Sequence, residues 1–237
     1  MAFYNAYNFL KRTLYDYRGI DGTGTASSPA TGSNQVSYVI RKLADGNCWM
    51  TDNLKLTLST SHSYEVATNS GETTTWTPNS GSGNASNTAI NANTKANVNG
   101  GNWYYPWYAA TAGSGTSSSS GSDTIRSICP KGWRLPANYT YNTEKSYSSL
   151  TQAYFGFVSG NGTTENATKW MTLPLSFTVH GHYASGGLVA GTNGYYWSSS
   201  PASSSQSYAL EFHGTKVQPQ NPFGTRTYSY PIRCVAI

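Results

Sequence analysis

After residue 176 the apolar residues fall into runs too short for a helix. Phe177-Thr178-Val179 and Tyr195-Tyr196-Trp197 are two of them, and 208–212 and 232–235 are the others. The turn dipeptides Asn193-Gly194, His213-Gly214 and Phe223-Gly224 stand between these runs. Short apolar or alternating runs bounded by glycine read as strands. The chain is thereby constrained to an α+β domain, irregular and loop-rich, with short antiparallel strands and one or two helices.

The same pattern extends upstream. Residues 36–43 read as a strand, Asp45-Gly46 as a turn and Cys48-Trp49-Met50 as the returning strand, which together predict a hairpin. Apolar residues at 3, 7, 10 and 14 predict a helix, and the Gly-, Thr- and Ser-rich stretch 22–33 a loop or linker. Residues 1–35 are thus expected to form a helix with a linker, and 36–237 the domain proper. A second helix is expected over 143–157, with Thr143 or Ser146 as cap and Leu150, Tyr154 and Phe157 on one face. Residues 59–102 are polar and poor in apolar anchors. They read as an insert of turns and irregular loop, pinned by Trp76, Ile90 and Val98. Residues 114–122, mostly Ser and Gly, read as a flexible tip.

Charged residues make up 11% of the chain against roughly 25% in an average soluble protein, so its polar surface must come from Ser, Thr, Asn, Gly and Tyr. Disorder is excluded by the 14% of aromatic residues, including 19 Tyr and 7 Trp, which supply a core. Tyr with neutral polar residues is also the palette of antibody-like contact surfaces. The net charge of +5 is scattered, and its densest groups are Lys11-Arg12 and Arg41-Lys42. No clustered basic face for nucleic acid is legible. No run is apolar enough for a membrane helix, and the first residues lack the pattern of a secretory leader.

Four segments in order carry a resemblance. They are Ala44-Asp45-Gly46-Asn47-Cys48-Trp49-Met50-Thr51-Asp52-Asn53-Leu54-Lys55, Tyr104-Tyr105-Pro106-Trp107-Tyr108-Ala109-Ala110, Ile128-Cys129-Pro130-Lys131-Gly132-Trp133-Arg134-Leu135-Pro136, and Gly194-Tyr195-Tyr196-Trp197-Ser198-Ser199-Ser200 leading to Ile232-Arg233-Cys234-Val235. The chain resembles the Fibrobacter succinogenes major paralogous domain family from about residue 36 to 237. The resemblance implies a C-type-lectin-like fold and a place at the bacterial cell surface or outside the cell. It also implies kinship with the variable proteins of diversity-generating retroelements, in which rewritten codons near the C-terminus shape the ligand surface. Residues 195–237 resemble such a variable region. Cys129 and Cys234 both lie in family segments, so the resemblance implies a bridge between them, with Cys48 buried and free.

Within 195–237, Trp197, Leu210, Phe212, Ile232 and Val235 read as core, together with Trp133 and Leu135. Exposed loop residues between them become the candidate ligand contacts. Around the first loop these are Ser200, Ala202, Ser203, Ser205 and Gln206. His213, Gln218, Gln220, Asn221, Phe223, Thr225, Tyr228 and Tyr230 follow. The expected partner is a protein or cell-surface ligand bound by a monomer.

Catalytic and metal chemistry is not legible. The nearest match to a calcium-lectin triplet, Gln218-Pro219-Gln220-Asn221, lacks a carboxylate. His180 and His182 would share one face of a strand but want further ligands, and His62 and His213 are isolated. No nucleophile elbow appears, and Ser-Ser-Ser runs read as turn and surface. A binding module without metal, cofactor or catalytic residues is therefore expected. Its competitors are a constant-specificity adhesin or envelope protein and, behind that, a glycan-active enzyme.

Overall fold

A computed structural model describes residues 11–78, 95–98, 101–115, 123–138, 145–156, 164–184, 187–214 and 216–237, with the backbone alone at 95–98, 164–167 and 223. Among these residues antiparallel strands dominate, and three short α-helices accompany them.

The expected hairpin is present. Strand β2 (Val36–Lys42) pairs with β3 (Cys48–Met50) through Ile40↔Met50 and Lys42↔Cys48. Gly46 takes φ +81°, which a side chain would disfavour. The Asp45 carboxylate accepts from Asn47 N–H at 3.2 Å and from Trp49 Nε1 at 3.0 Å, tying the turn to the returning strand.

Upstream of β2 the structure departs from the helix expectation. Residues 3–10 lie outside the described set, but β1 (Arg12–Asp16) is a strand paired with β2 from Arg12↔Ile40 to Asp16↔Val36. A non-local partner overrides the local helical spacing. The described part of 1–35 is built into the main core. Arg18, 1% exposed, forks onto Asp16 at 2.7 and 2.9 Å and donates to the carbonyls of Glu65 and Ile128.

The described part of the polar insert is more ordered than expected. β4 (Tyr64–Thr68) and β5 (Thr73–Trp76) form a hairpin, extended by β8 (Arg126–Ser127). β-Branched Thr and Val favour strand here, and Tyr64, Val66 and Trp76 are buried. β6 (Lys95–Val98) pairs with β7 (Asn102–Pro106). Ile90, the tip at 116–122, Thr143 and Phe157 lie outside the described residues, as does the Val98 side chain.

After β7 come α1 (Trp107–Ala110), β9 (Trp133–Arg134), α2 (Tyr147–Phe155) and α3 (Thr164–Met171). Ser146 caps α2, accepting from Ser149 N–H at 3.0 Å while Ser149 Oγ accepts from Ser146 N–H at 3.2 Å. Strands β10 (His182–Ala184) and β11 (Gly187–Val189) precede the C-terminal sheet of β12 (Gly194–Pro201), β13 (Gln206–His213) and β14 (Lys216–Thr225). β15 (Ser229–Tyr230) pairs with β7 and β10, and β16 (Val235–Ala236) slots between β3 and β9.

These pairings draw the four family segments together. Trp197 Nε1 donates to the Tyr105 carbonyl at 2.7 Å and Trp107 Nε1 to the Ser198 carbonyl at 2.9 Å. Cys129 and Cys234 are disulfide-bonded with Cα atoms 6.0 Å apart. That bridge closes 105 residues, which stabilises the fold by about 4–5 kcal/mol in chain-entropy terms. Trp133, Leu135, Trp197, Leu210, Phe212, Ile232 and Val235 are all buried. Cys48 is free but exposed, not buried. It opens β3 on the face opposite Trp49, and Trp49 is the residue that enters the core.

Candidate functional site

The C-terminal sheet uses its two faces differently. Tyr196, Leu210, Phe212 and Val217 point into a second core that also holds Trp170 of α3 and Tyr147 and Leu150 of α2. On the other face, the paired residues Trp197 and Ala209 enter the main core. One step along that face lies the row Tyr195, Glu211 and Gln218, with Tyr195 and Gln218 half-buried and Glu211 buried between them.

The sequence-derived contact residues divide among three environments. Ser200, Asn221 and Tyr230 are 0%, 7% and 3% exposed and are scaffold, which corrects the expectation of loop contacts. Ser200 Oγ accepts from Asn138 N–H at 2.7 Å and donates to the Asp123 carboxylate. The run Ser198 to Ser200 is a buried stretch of β12, because each hydroxyl finds a nearby partner; Ser198 Oγ, for example, donates to the Tyr208 carbonyl at 2.7 Å. The Phe223 side chain lies outside the described residues.

A second group sits at the β12–β13 hairpin: Ala202, Ser203, Ser205, Gln206 and Thr225, with Gln206 opposite Thr225. This hairpin is clamped from beneath by Arg226, which is 1% exposed. The guanidinium donates to the carbonyls of Ser203 at 2.5 Å and Gln206 at 3.2 Å and to Ser207 Oγ at 3.0 Å. It also lies 4.2 Å over the Trp107 ring.

The third group is at the opposite end, about 20 Å away along the eight residues of β13. Glu211 is the hub. Its carboxylate accepts from Asn221 Nδ2 at 2.6 Å, from the Tyr195 hydroxyl at 3.2 Å and from Asn193 Nδ2 at 3.3 Å. Lys216 Nζ stands 4.0 Å away. Asn193 Nδ2 also donates to the Tyr195 hydroxyl at 2.9 Å.

Beside this polar cluster runs an aromatic row leading out of the core. Trp197 stacks on Tyr230 at 4.1 Å, and Tyr230 stacks on Tyr195 at 5.0 Å. His182 meets Tyr195 edge-on at 5.3 Å and stacks on Tyr228 at 5.0 Å. Tyr195, Tyr228 and His182 are half-buried, so each is fixed on one side and open on the other. Burial pushes the His182 imidazole down from its ordinary value, so it is neutral at pH 7. Burial, reinforced by the Glu211 charge, pushes the Tyr195 hydroxyl up and keeps it a donor. His213 and Gln218 lie at this end and Gln220 farther along β14, all half-buried.

Gly181, between His180 and His182, takes φ +64°, which interrupts the strand alternation expected to put both on one face, and β10 starts at His182, which joins the aromatic row. Asn193, Tyr195, Glu211 and His182 were not among the contact residues read from sequence. Glu211 did leave a signal: it is the only acidic side chain after residue 165, set in an apolar strand. A buried acid requires partners.

Chemically the cluster can stack and hydrogen-bond. Among the described residues no three His, Cys, Asp or Glu side chains gather as a metal ion would need. No helix is long and apolar enough to cross a membrane, among the residues described.

A comparison with curated proteins found no match, and neither did one with solved structures. The model of the Fibrobacter succinogenes major domain matches residues 44–236, the span that holds all four recurring segments and both bridged cysteines. The chain belongs to the Fibrobacter succinogenes major domain family, a bacterial family.

Proposed function

We propose that the protein is a non-enzymatic binding module of the cell surface or extracellular space, with a C-type-lectin-like scaffold that displays its ligand surface on the C-terminal sheet. The observation that carries this reading is the cluster around Glu211. There, the rings of Tyr195, Tyr228 and His182 and the Asn193 amide are held in fixed positions while half-buried, with an edge toward solvent. Aromatic rings on a rigid support give contact area at low entropic cost, and adjacent amides add directional bonds. The disulfide is in keeping with an oxidising compartment.

The test is binding to an array of bacterial surface glycans and proteins. Tyr195→Ala and Tyr228→Ala are expected to weaken any ligand found by at least about tenfold, while Ser205→Ala at the clamped hairpin leaves it unchanged. Retention by both tyrosine variants contradicts the reading.

If the C-terminal stretch is diversified by a retroelement, the scaffold confines variation to positions whose side chains reach solvent. These include Ser203, Gln206, His213, Gln218 and Tyr228. Sequencing the gene's neighbourhood for a reverse transcriptase and a near-copy of the last coding segment tests this. A template whose substitutions fall on the codons of Ser200 or Asn221 would count against it.

A further inference from the structure

A bulge in β14 brings together two side chains that a regular strand would keep apart. Lys216 and Asn221 are an odd number of positions apart on β14, so in an unbroken strand they would point to opposite faces. Ala209 pairs with Asn221 but Glu211 with Gln218, so β14 spends one residue more than β13 on this step. The extra residue returns Lys216 and Asn221 to one face, that of Glu211, and both then reach the same carboxylate oxygen. Asn221 Nδ2 donates to Glu211 Oε2 at 2.6 Å, and Lys216 Nζ stands 4.0 Å from that oxygen. We propose that Lys216 and Asn221 become joined by an isopeptide bond, with Glu211 carrying the protons.

Such a bond needs an amine, an amide and a proton carrier held together out of water. Glu211 and Asn221 are 8% and 7% exposed, which disfavours water as the competing nucleophile. Lys216 is the mobile member, because its side chain is 30% exposed and 4.0 Å is too long for a locked hydrogen bond. The reaction balances without a further reactant. Glu211 Oε2 takes a proton from the Lys216 ammonium, and the freed amine attacks Asn221 Cγ. As the Nζ–Cγ bond forms and the Cγ–Nδ2 bond breaks, the proton held by Glu211 passes to Nδ2. A second proton leaves Nζ by the same route, and Nδ2 departs as ammonium while Glu211 returns to a carboxylate. Asn193 is the competing amide, but its Nδ2 lies on the other oxygen, Oε1, beside the Tyr195 hydroxyl. The product staples β14 across its bulge, at the end of the sheet away from the Arg226 clamp. The bond depends on the geometry of the cluster and not on its use as a ligand surface, and its test needs no ligand.

The test is the mass of the purified full chain after reduction of the disulfide. Loss of one ammonia, about 17 Da below the mass calculated from sequence, is expected in the bulk of the chains. Trypsin cuts after a lysine only when its amine is free, so residues 170–226 should persist as one peptide carrying the whole deficit. Fragmentation should then give no backbone breaks between 216 and 221. Lys216→Arg, at a partly exposed position, should restore the calculated mass, and so should Glu211→Gln. Mass reads the bond whether or not a variant keeps its full stability. Full mass in the wild-type protein, with cleavage after Lys216, overturns the proposal. So does a deficit that survives Lys216→Arg, or a cross-link from Lys216 to Asn193 or Gln218. A bond that forms equally in Glu211→Gln removes Glu211 as the proton carrier.

Discussion

The two ends of the C-terminal sheet are built from similar residues and behave differently. At the β12–β13 hairpin, Ser203, Ser205 and Gln206 surround a buried cation, and their backbone carbonyls are consumed by Arg226. At the other end, Asn193, Tyr195 and Asn221 surround a carboxylate that gathers their side-chain donors; Asn221 is buried with it, while Asn193 and Tyr195 keep an edge toward solvent. A cation beneath a loop fixes its backbone and leaves small hydroxyls on show. A carboxylate beneath a row of donors fixes side chains and leaves large faces on show. Polar composition alone does not separate these outcomes; the sign of the buried charge does.

Removing what both ends share should have the largest effect. Trp197→Ala deletes the ring that stacks on Tyr230 and bonds the Tyr105 carbonyl, and is expected to cost about 3–5 kcal/mol by chemical denaturation. Next comes Arg226→Met, expected to cost about 1–3 kcal/mol because buried acceptors lose their donor. Hydrogen exchange should quicken at 202–207 and stay slow at 193–196. Loosening at both ends together would mean that the ends are not independent.

Glu211→Gln preserves shape but weakens the charge-assisted bonds, and should cost about 1–2 kcal/mol, with exchange quickening at 193–196 and 218–221. An unchanged exchange pattern there would remove Glu211 as the hub. The smallest effect is on pH. The folded protein holds His182 with a lowered pKa, so the unfolded chain binds its proton first as pH falls. The stability associated with a neutral His182 is complete above about pH 6.5 and is lost as pH drops through that value toward the folded pKa. His182→Phe should flatten this decline between pH 7 and pH 5 in denaturation midpoints.

Much of the frame could be read from residues alone. The hairpin at 36–50 follows from alternation and an Asp-Gly turn, and the core positions from short apolar runs, because both are local signals. The disulfide followed from the family resemblance. What escaped was non-local. Arg12–Asp16 is a strand because β2 lies beside it, and 64–76 forms a hairpin because Tyr64, Val66 and Trp76 find the core. Ser198 to Ser200 resembles surface until Tyr208, Pro136 and Asp123 are brought against it. At the site, Tyr228 and Gln218 were legible as polar or amphipathic residues near turns. Glu211 stood out only as a lone acid in an apolar strand and His182 not at all as a contact, because their partners lie on strands that meet only in the fold.

The most direct measurement is a footprint. Peptides selected from a random display library on the intact protein would be bound to it and their contacts mapped by hydrogen exchange. Protection is expected at 193–196, 211–218 and 228 and absent at 202–206, and Tyr228→Ala should abolish binding of the selected peptides. Protection centred on the Arg226-clamped hairpin, or binding that survives Tyr228→Ala, would contradict the placement of the ligand surface at the Glu211 end.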